Sequence, residues 1–197
     1  MLATRMAFSR STAFAFLFFN LVLAWIPLGL SLLLREVESG KGWGRAIVLT
    51  AGMLWVSFFP NSFYIVTDLV HMDYWYVGVP RWFDLMMTVG FGFLGVFLGI
   101  LSLYLLHISI QERLGQVAGW AFAIVMLGLG SFGVYAGRFL RWNSWWVLTH
   151  PDRLLTQTGW LLQNPRGVVA FSLTFFAFSL MAYFFVVAMA RVHEGER

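Results

Sequence analysis

The sequence contains no cysteine and few charged residues. Only 11% of its 197 residues are Asp, Glu, Lys or Arg, against about 25% in an ordinary soluble domain. The lack of cysteine excludes disulfides, thiolate catalysis and cysteine-ligated metal. The chain also has no HExxH or paired-histidine motif and no GxSxG motif. It therefore lacks the signatures of common zinc proteases and of α/β-hydrolases.

The few charges are segregated, which leaves five long stretches with no charged residue at all. Each stretch exceeds the roughly 20 residues that a helix needs to cross a bilayer core. A soluble domain that buried five such helices would have almost no polar surface left. The pattern predicts an all-α, multi-pass membrane helical bundle that forms a single integral membrane domain over residues 1–197. The uncharged stretches are Ser11–Leu34, Ala46–Thr67, Leu85–Leu106, Leu114–Gly137 and Gly167–Ala190.

The boundaries of the predicted helices follow from these stretches. Arg5 and Arg10 precede the first one, but it is too long for a signal-peptide core and no small-x-small cleavage site follows, so we expect a retained first helix. Pro60 should bend the second helix near one end. Thr67–Asp84 is predicted as a connector. The five predicted transmembrane helices are Thr12–Leu34, Ala46–Val66, Leu85–Leu106, Leu114–Gly137 and Gly167–Ala190.

Leucines recur at helical spacing between the fourth and fifth helices, opposite polar residues. This pattern predicts an interfacial amphipathic helix over Pro151–Leu162, lying flat on the bilayer; a shallow re-entrant segment is the alternative. With five crossings, seven Lys and Arg residues lie on the face of the N-terminus and six lie on the other face. Because Lys and Arg are enriched on the cytoplasmic side, this division narrowly favours an N-terminus inside the cell.

The chain carries a formal charge of +4 and a pI near 9.9. Because the basic residues flank apolar spans, they are typical of anchors at the lipid surface and not of nucleic-acid binding. Glycines four residues apart, Gly95 with Gly99 and Gly133 with Gly137, allow helices to approach closely. Packing inside the bundle is the favoured interpretation; a homo-oligomer or a membrane-protein partner bound through these faces is the alternative.

A polar row interrupts the apolar second helix and the connector. The row consists of Ser57, Asn61, Tyr64, Asp68 and His71, at spacings of four, three, four and three. On a continuous α-helix these side chains would share one stripe. Ionisable groups at membrane depth are costly and normally face a partner or a wet cavity.

A second polar row lies near the end of the fourth helix. Ser131, Tyr135 and Arg138 fall on one stripe there, with Arg141 one turn further. With five crossings, this end, Asp68 and Asp84 reach the same membrane face. We therefore expect one polar pocket at that face, with Asp68 and Arg138 in direct or water-mediated contact.

Two interpretations of this pocket remain open. One is a structural network of ion pairs and hydrogen bonds. The other is a site in which Arg138 and Arg141 bind an anionic headgroup or phosphate, with Asp68 and His71 as base or ligand. A metal site at Asp68 and His71, joined by Asp73 or Asp84, would have few ligands. We therefore predict neither a metal nor a cofactor.

Three segments resemble a family of bacterial integral membrane proteins known as domain of unknown function 1361. They are "FFPNSFYIVTDLVHM", "RWFDLMM" and "SFGVYAGRFLRWNSWW", and the resemblance spans roughly Ala46–Asp152. Asn143 lies in the third segment and is also a candidate binding residue. The full predicted set is Asn61, Tyr64, Asp68, His71, Asp84, Tyr135, Arg138, Arg141 and Asn143. Trp146 stands where an Asp would be expected after "WNSW". The resemblance implies no activity.

Three functions are compatible with the sequence. The first is binding, and by extension processing, of an anionic lipid or lipid-linked substrate. The second is a non-catalytic subunit or assembly factor of a larger membrane complex, and the third is a small transporter component. The sequence does not decide whether the protein is an enzyme. A bacterial inner membrane is the expected location.

Overall fold

The computed structural model describes residues 1–12, 14–38, 45–73, 79–141 and 165–195; of residues 37–38, 70–73 and 193–195 it describes the backbone alone. All regular secondary structure within these ranges is helical. The elements in chain order are α1 (Leu2–Ser9), α2 (Ala15–Glu38), α3 (Arg45–Tyr64), a 3₁₀ segment (Ile65–Asp73), α4 (Arg81–Leu114), α5 (Gln116–Phe139) and α6 (Pro165–Gly195).

Five of these helices are long and apolar enough to cross a membrane. They are α2, α3 with the start of the 3₁₀ segment, α4, α5 and α6. The predicted class, an all-helical multi-pass membrane protein, is therefore confirmed. The short helix α1 was not predicted. The predicted interfacial helix Pro151–Leu162 lies outside the described residues.

Several predicted boundaries differ from the structure, most of all the end of α4. Helix α4 continues to Leu114, well beyond the predicted end at Leu106, and stops at Gly115, whose φ is 89°. A charge-free run marks where a helix leaves lipid, whereas the helix itself continues through good helix formers. The second predicted helix was expected to reach Val66, but α3 ends at Tyr64 and a 3₁₀ segment occupies part of the predicted connector.

The bundle is organised around α3 and α4. Helix α2 packs against both, α3 also contacts α5, and α5 contacts α6. Aromatic side chains fill the centre: the Phe59 ring lies 4.7 Å from that of Trp55 and 5.2 Å from that of Phe63. Phe63 in turn meets Phe175 of α6. This core holds α3 and α5 in place, and these are the two helices on which the polar rows were predicted.

Glycines on α4 allow α3 to approach closely. A Cβ atom at Gly95 would lie 2.1 Å from Ile65 Cγ2 and 2.6 Å from the Ser62 backbone oxygen. A Cβ atom at Gly99 would lie 2.8 Å from Ser62 Cβ. These two glycines therefore pack inside the bundle, as the favoured interpretation of their spacing predicted.

Candidate functional site

Three polar side chains from three helices meet at one end of the bundle, and we call them the Asp68 cluster: Asn20, Asp68 and Arg138. Asn20 Nδ2 donates to Asp68 Oδ2 at 2.7 Å. Arg138 Nη1 lies 3.6 Å from Asp68 Oδ1. The predicted contact between Asp68 and Arg138 is therefore present, and Asn20 adds a partner that the sequence did not assign.

The buried position of Asp68 follows from the change of helix type after Tyr64. A 3₁₀ helix turns about 120° per residue and an α-helix about 100°, so four residues accumulate roughly 80° of extra rotation. Asp68 consequently leaves the α-helical stripe of Ser57, Asn61 and Tyr64. Its side chain is 2% exposed and reaches Asn20 of α2. The predicted single stripe from Ser57 to Asp68 is wrong at this point.

A cleft of about 240 Å³ lies between parts of α3 and α5, and we call it the α3/α5 cleft. Its α3 wall carries the first part of the predicted polar row, and its α5 wall carries small and apolar residues. Val56 and Leu129 line it and are 44% and 51% exposed, so it opens sideways to the apolar surface of the bundle. The lining residues are Val56, Ser57, Phe59, Pro60, Asn61, Tyr64, Met126, Leu129, Gly130, Phe132, Gly133, Ala136 and Gly137.

Proline and glycine fix the contact between the two walls. A Cβ atom at Gly133 would lie 2.5 Å from Pro60 Cγ, and one at Gly130 would lie 2.9 Å from Phe59 Cε1. The two helices therefore touch where these glycines face α3. Pro60 also lacks a backbone N–H, so it leaves the carbonyl of Val56 without its usual helical partner.

Two arginines stand where α5 ends. Arg138 belongs to the last turn of α5, directly after the lining residue Gly137, and its side chain is 14% exposed. Arg141 is exposed and has a φ of 55°, a left-handed conformation of the kind that often follows a helix end. The negative end of the helix dipole favours cations at this place. With Asp68, the two arginines leave a net charge of one positive unit (two cations minus one anion).

Asp84 lies in a second ion pair instead of the Asp68 cluster. Arg5 of α1 binds it with two hydrogen bonds, Nε to Oδ1 at 2.9 Å and Nη2 to Oδ2 at 3.0 Å. The Arg5 guanidinium also lies 4.7 Å from the Phe14 ring centroid. The sequence predicted Asp84 in one pocket with Asp68 and Arg138; the partner that the structure gives it is Arg5 of α1. Two residues at the same depth in the membrane need not form a pair.

Tyr135 also takes a different place from the one predicted. Its ring lies 4.7 Å from that of Phe139 and 5.7 Å from that of Phe171. It is 4% exposed and is not among the residues that line the α3/α5 cleft. Ser131 on the same stripe donates to the Leu127 carbonyl. This stripe of α5 is therefore largely used for packing within the bundle, mainly against α6.

Two predicted site residues lie outside what the structure describes. Asn143 is not among the described residues, and the side chain of His71 is not described although its backbone lies in the 3₁₀ segment. Within the described part of the chain, no group of three His, Asp or Glu side chains is arranged to hold a metal ion.

A different polar contact lies at the opposite end of the bundle. His107 Nδ1 is hydrogen-bonded to the Tyr183 hydroxyl, and the Trp120 ring packs on both. His107 and Tyr183 are 2% and 0% exposed. No pattern in the sequence indicates this pair, because the two residues are far apart in the chain. Their burial between three packed helices identifies them as a structural contact.

Five membrane-spanning helices with a polar cluster and a lateral cleft at one end define a multi-pass helical membrane protein. A family model described as "Protein of unknown function (DUF1361)" matches residues 19–185, and the chain belongs to this family. The resemblance stated from the sequence is thereby confirmed. No curated protein and no solved structure matches the chain. The matched range includes the whole Asp68 cluster but not Arg5.

Proposed function

We propose that the protein binds an anionic lipid, or a lipid-linked anion, with its headgroup at Arg138 and Arg141 and its upper chain region in the α3/α5 cleft. The observation that carries this proposal is the continuity of the two features. The lining of the cleft runs to Gly137, and the next residue is Arg138. A largely apolar cleft whose lining stops one residue before the first of two cations would suit an amphiphilic anion.

The charge balance of this end supports an anionic ligand. Among these three described side chains, Asp68 neutralises one arginine, and the charge of the second arginine remains. A guanidinium carries five N–H donors in a planar fork, so Arg138 can contact Asp68 and a phosphate oxygen together. Asn20 holds Asp68 Oδ2, and Asp68 in turn positions Arg138. The contact of 3.6 Å is looser than the 2.9 and 3.0 Å of the Arg5–Asp84 pair.

Chemical processing of the ligand is the extended form of the proposal. It would use Asp68, with His71, as a base. Asp68 is 2% exposed and bonded by Asn20, which suits positioning of Arg138 better than proton abstraction from a ligand. Binding is therefore the form that we propose. The binding residues predicted from the sequence were Asn61, Tyr64, Asp68, His71, Asp84, Tyr135, Arg138, Arg141 and Asn143. The geometry favours four of them: Asn61 and Tyr64, which line the cleft, and Arg138 and Arg141 at the end of α5.

The other functions expected from the sequence stay as alternatives to be tested. A subunit or assembly factor would bind a partner through the glycine or tryptophan faces, but Gly95 and Gly99 are occupied by α3. A small transporter component would need an oligomer. A bacterial inner membrane is the location that we propose, because its anionic lipids would supply the ligand.

Lipid titration of the delipidated protein in neutral detergent, followed by native mass spectrometry, tests the proposal. Phosphatidylglycerol should bind about tenfold more tightly than phosphatidylcholine with the same chains. Arg138→Gln and Arg141→Gln should each remove most of this preference, because a hydrogen bond to a charged group contributes about 1.5–3 kcal/mol. Inorganic phosphate should compete only weakly, since it lacks the apolar part.

The matched control is Arg35→Gln, which removes an exposed arginine in the last turn of α2. It should retain the preference for phosphatidylglycerol. Equal affinity for the two lipids, or an equal loss in Arg35→Gln, would contradict the proposal. A stoichiometric protein partner recovered in mild detergent, with no lipid preference, would favour the subunit alternative.

A further inference from the structure

Helix α1 has no part in the proposed function and is too short to cross a membrane. Its eight residues, Leu2–Ser9, extend about 12 Å, whereas the hydrocarbon core of a bilayer is about 30 Å thick. Its backbone makes few contacts with the other helices. Side chains therefore fix the position of α1.

Arg5 sets the level of α1 relative to the spans. Its guanidinium donates to both carboxylate oxygens of Asp84 and to Ser9 Oγ at 2.7 Å. Asp84 lies in the first turn of α4 and directly precedes the charge-free stretch that starts at Leu85. The end of such a stretch marks where a helix enters the hydrocarbon. The middle of α1 therefore lies near the level at which lipid headgroups meet acyl chains.

The outer side of α1 has two different flanks. Thr4 and Phe8 are four residues apart and share one flank, and Ala3 and Ala7 share the other. All four residues are exposed, and Phe8 is 76% exposed. A phenyl ring on one flank and only methyl groups on the other give the helix a lipid-compatible side and a neutral side.

The Phe8 ring lies beside an apolar surface that is continuous with a membrane span. Trp82 is exposed, and its ring lies 6.0 Å from that of Phe83. Further along α4, Met86 and Phe93 lie on the same exposed stripe as Trp82. This stripe belongs to a span and faces lipid. A cavity of about 180 Å³ joins α1 to the start of α4, and it is lined by Thr4, Arg5, Phe8, Val79, Pro80 and Phe83.

Arg10 follows the end of α1 and supplies an exposed cation. It lies two residues beyond Phe8, so the two side chains reach the same layer of the membrane. A helix that lies in the membrane surface combines apolar side chains, which enter the chain region, with basic side chains, which contact the headgroups. Phe8 and Arg10 supply one contact of each kind.

We propose that α1 is a surface helix whose partner is the phospholipid layer around the spans. The flank of Thr4 and Phe8 lies among the upper acyl chains, the flank of Ala3 and Ala7 faces water, and Arg10 contacts lipid phosphates. This surface is separate from the α3/α5 cleft, and the proposal does not depend on the lipid that we propose to bind there.

Spin labels on single introduced cysteines test this placement, because the chain contains no cysteine. The variants are Ala3→Cys, Thr4→Cys, Ala7→Cys and Phe8→Cys, all at exposed positions of α1. Each is labelled with a nitroxide and placed in vesicles of phosphatidylethanolamine and phosphatidylglycerol. Power-saturation EPR then compares collisions with oxygen, which concentrates among acyl chains, and with a neutral nickel chelate, which stays in water.

The expected result is a depth that alternates with the flank. Labels at Thr4→Cys and Phe8→Cys should lie about 5–10 Å below the headgroups. Labels at Ala3→Cys and Ala7→Cys should lie at least about 5 Å closer to water, since a helix with its side chains is about 10–12 Å wide.

Two further labels calibrate the depth scale. Phe93→Cys lies roughly 18 Å along α4 from its start and should be deeper than any label on α1. Arg166→Cys, at the start of α6, should mark the boundary. Neither position belongs to the Asp68 cluster or lines the α3/α5 cleft.

Three results would overturn the proposal. The first is an equal depth for all four labels on α1, or a greater depth at Ala3→Cys and Ala7→Cys. The second is a label at Thr4→Cys or Phe8→Cys that meets neither reagent, because a protein segment or a second copy of the chain would then cover this flank. The third is frequent collision of all four labels with the nickel chelate, which would place α1 in water.

Discussion

Asp68 is the residue on which the candidate site depends. It is 2% exposed and carries a charge, and burying a charge without a partner is expensive. Asn20 and Arg138 reduce that cost from two sides. Arg138 has a less demanding position, because its side chain keeps 14% exposure and lies at the C-terminal end of α5. The two partners should therefore respond differently to substitution.

A double-mutant cycle of Asp68→Asn and Arg138→Gln measures this difference. Arg138→Gln leaves a buried carboxylate without its cation and should lower the free energy of unfolding by about 2–3 kcal/mol. Asp68→Asn should cost less, because Arg138 reaches water and Asn20 can still donate to an amide oxygen. The coupling free energy should be about 1–2 kcal/mol.

Unfolding in mixed micelles with increasing denaturing detergent provides the free energies for this cycle. The control cycle combines Asp68→Asn with Arg35→Gln, two distant sites whose effects should add. If the effects of Asp68→Asn and Arg138→Gln also add, within about 0.3 kcal/mol, the pair has no energetic coupling and the Asp68 cluster is not a unit.

At the scale of the helices, the sequence predicts the features that depend on hydrophobicity. It does not predict the features that depend on which residues contact each other. Five charge-free stretches predict five spans because each needs only lipid around it. The 3₁₀ segment after Tyr64 could not be predicted, since no residue pattern distinguishes it from the end of an α-helix. The length of α4 beyond Leu106 was missed for a similar reason: its polar last turns are helical but are not apolar.

The same limit applies to the candidate site. The spacing of the polar residues predicted that Asp68 and Arg138 form a pair, because both charges need a partner at the same membrane face. The position of Arg5 before an apolar run predicts a surface anchor, yet its side chain is 0% exposed and binds Asp84. The choice between two carboxylates depends on how α1 packs against α4, and this is information that one sequence does not contain.

The close packing of α3 on α4 gives a prediction for the glycines. Gly95→Ala should lower the free energy of unfolding by about 2–3 kcal/mol, because its Cβ would lie 2.1 Å from Ile65 Cγ2 and 2.6 Å from a backbone oxygen. Gly90→Ala, on the same helix with nothing within 4 Å, should leave stability unchanged or raise it by up to about 1 kcal/mol. The same micelle unfolding measurement compares the two.

A similar effect of the two alanines would contradict this packing. In that case the α3–α4 contact would be looser than described, and the glycine face could serve a partner after all. A shift of Gly95→Ala toward a new oligomeric state in size-exclusion chromatography would support the same conclusion.

At the scale of the whole molecule, the contacts fix an alternating arrangement of the spans. The start of α2, the end of α3, the start of α4 and the end of α5 share one end of the bundle, through the Asp68 cluster and the Arg5–Asp84 pair. The late part of α4, the start of α5 and the late part of α6 share the other, through His107, Trp120 and Tyr183. The candidate site is thereby confined to one membrane face.

The absence of cysteine makes this arrangement directly testable with single introduced cysteines. Thr12→Cys and Arg166→Cys place thiols before or at the start of α2 and α6, and Val117→Cys places one at the start of α5; all three positions are exposed. In sealed membrane vesicles of one orientation, a maleimide that cannot cross the membrane should either label both Thr12→Cys and Arg166→Cys or label neither. Val117→Cys should show the opposite result. The unmodified protein should not react, and detergent should make all three thiols reactive. The seven-to-six division of Lys and Arg narrowly favours Thr12 inside, and with that orientation intact cells should label Val117→Cys alone. Labelling of Thr12→Cys and Val117→Cys from the same side would mean an even number of crossings between them, and the Asp68 cluster could then not join α2, α3 and α5 at one face.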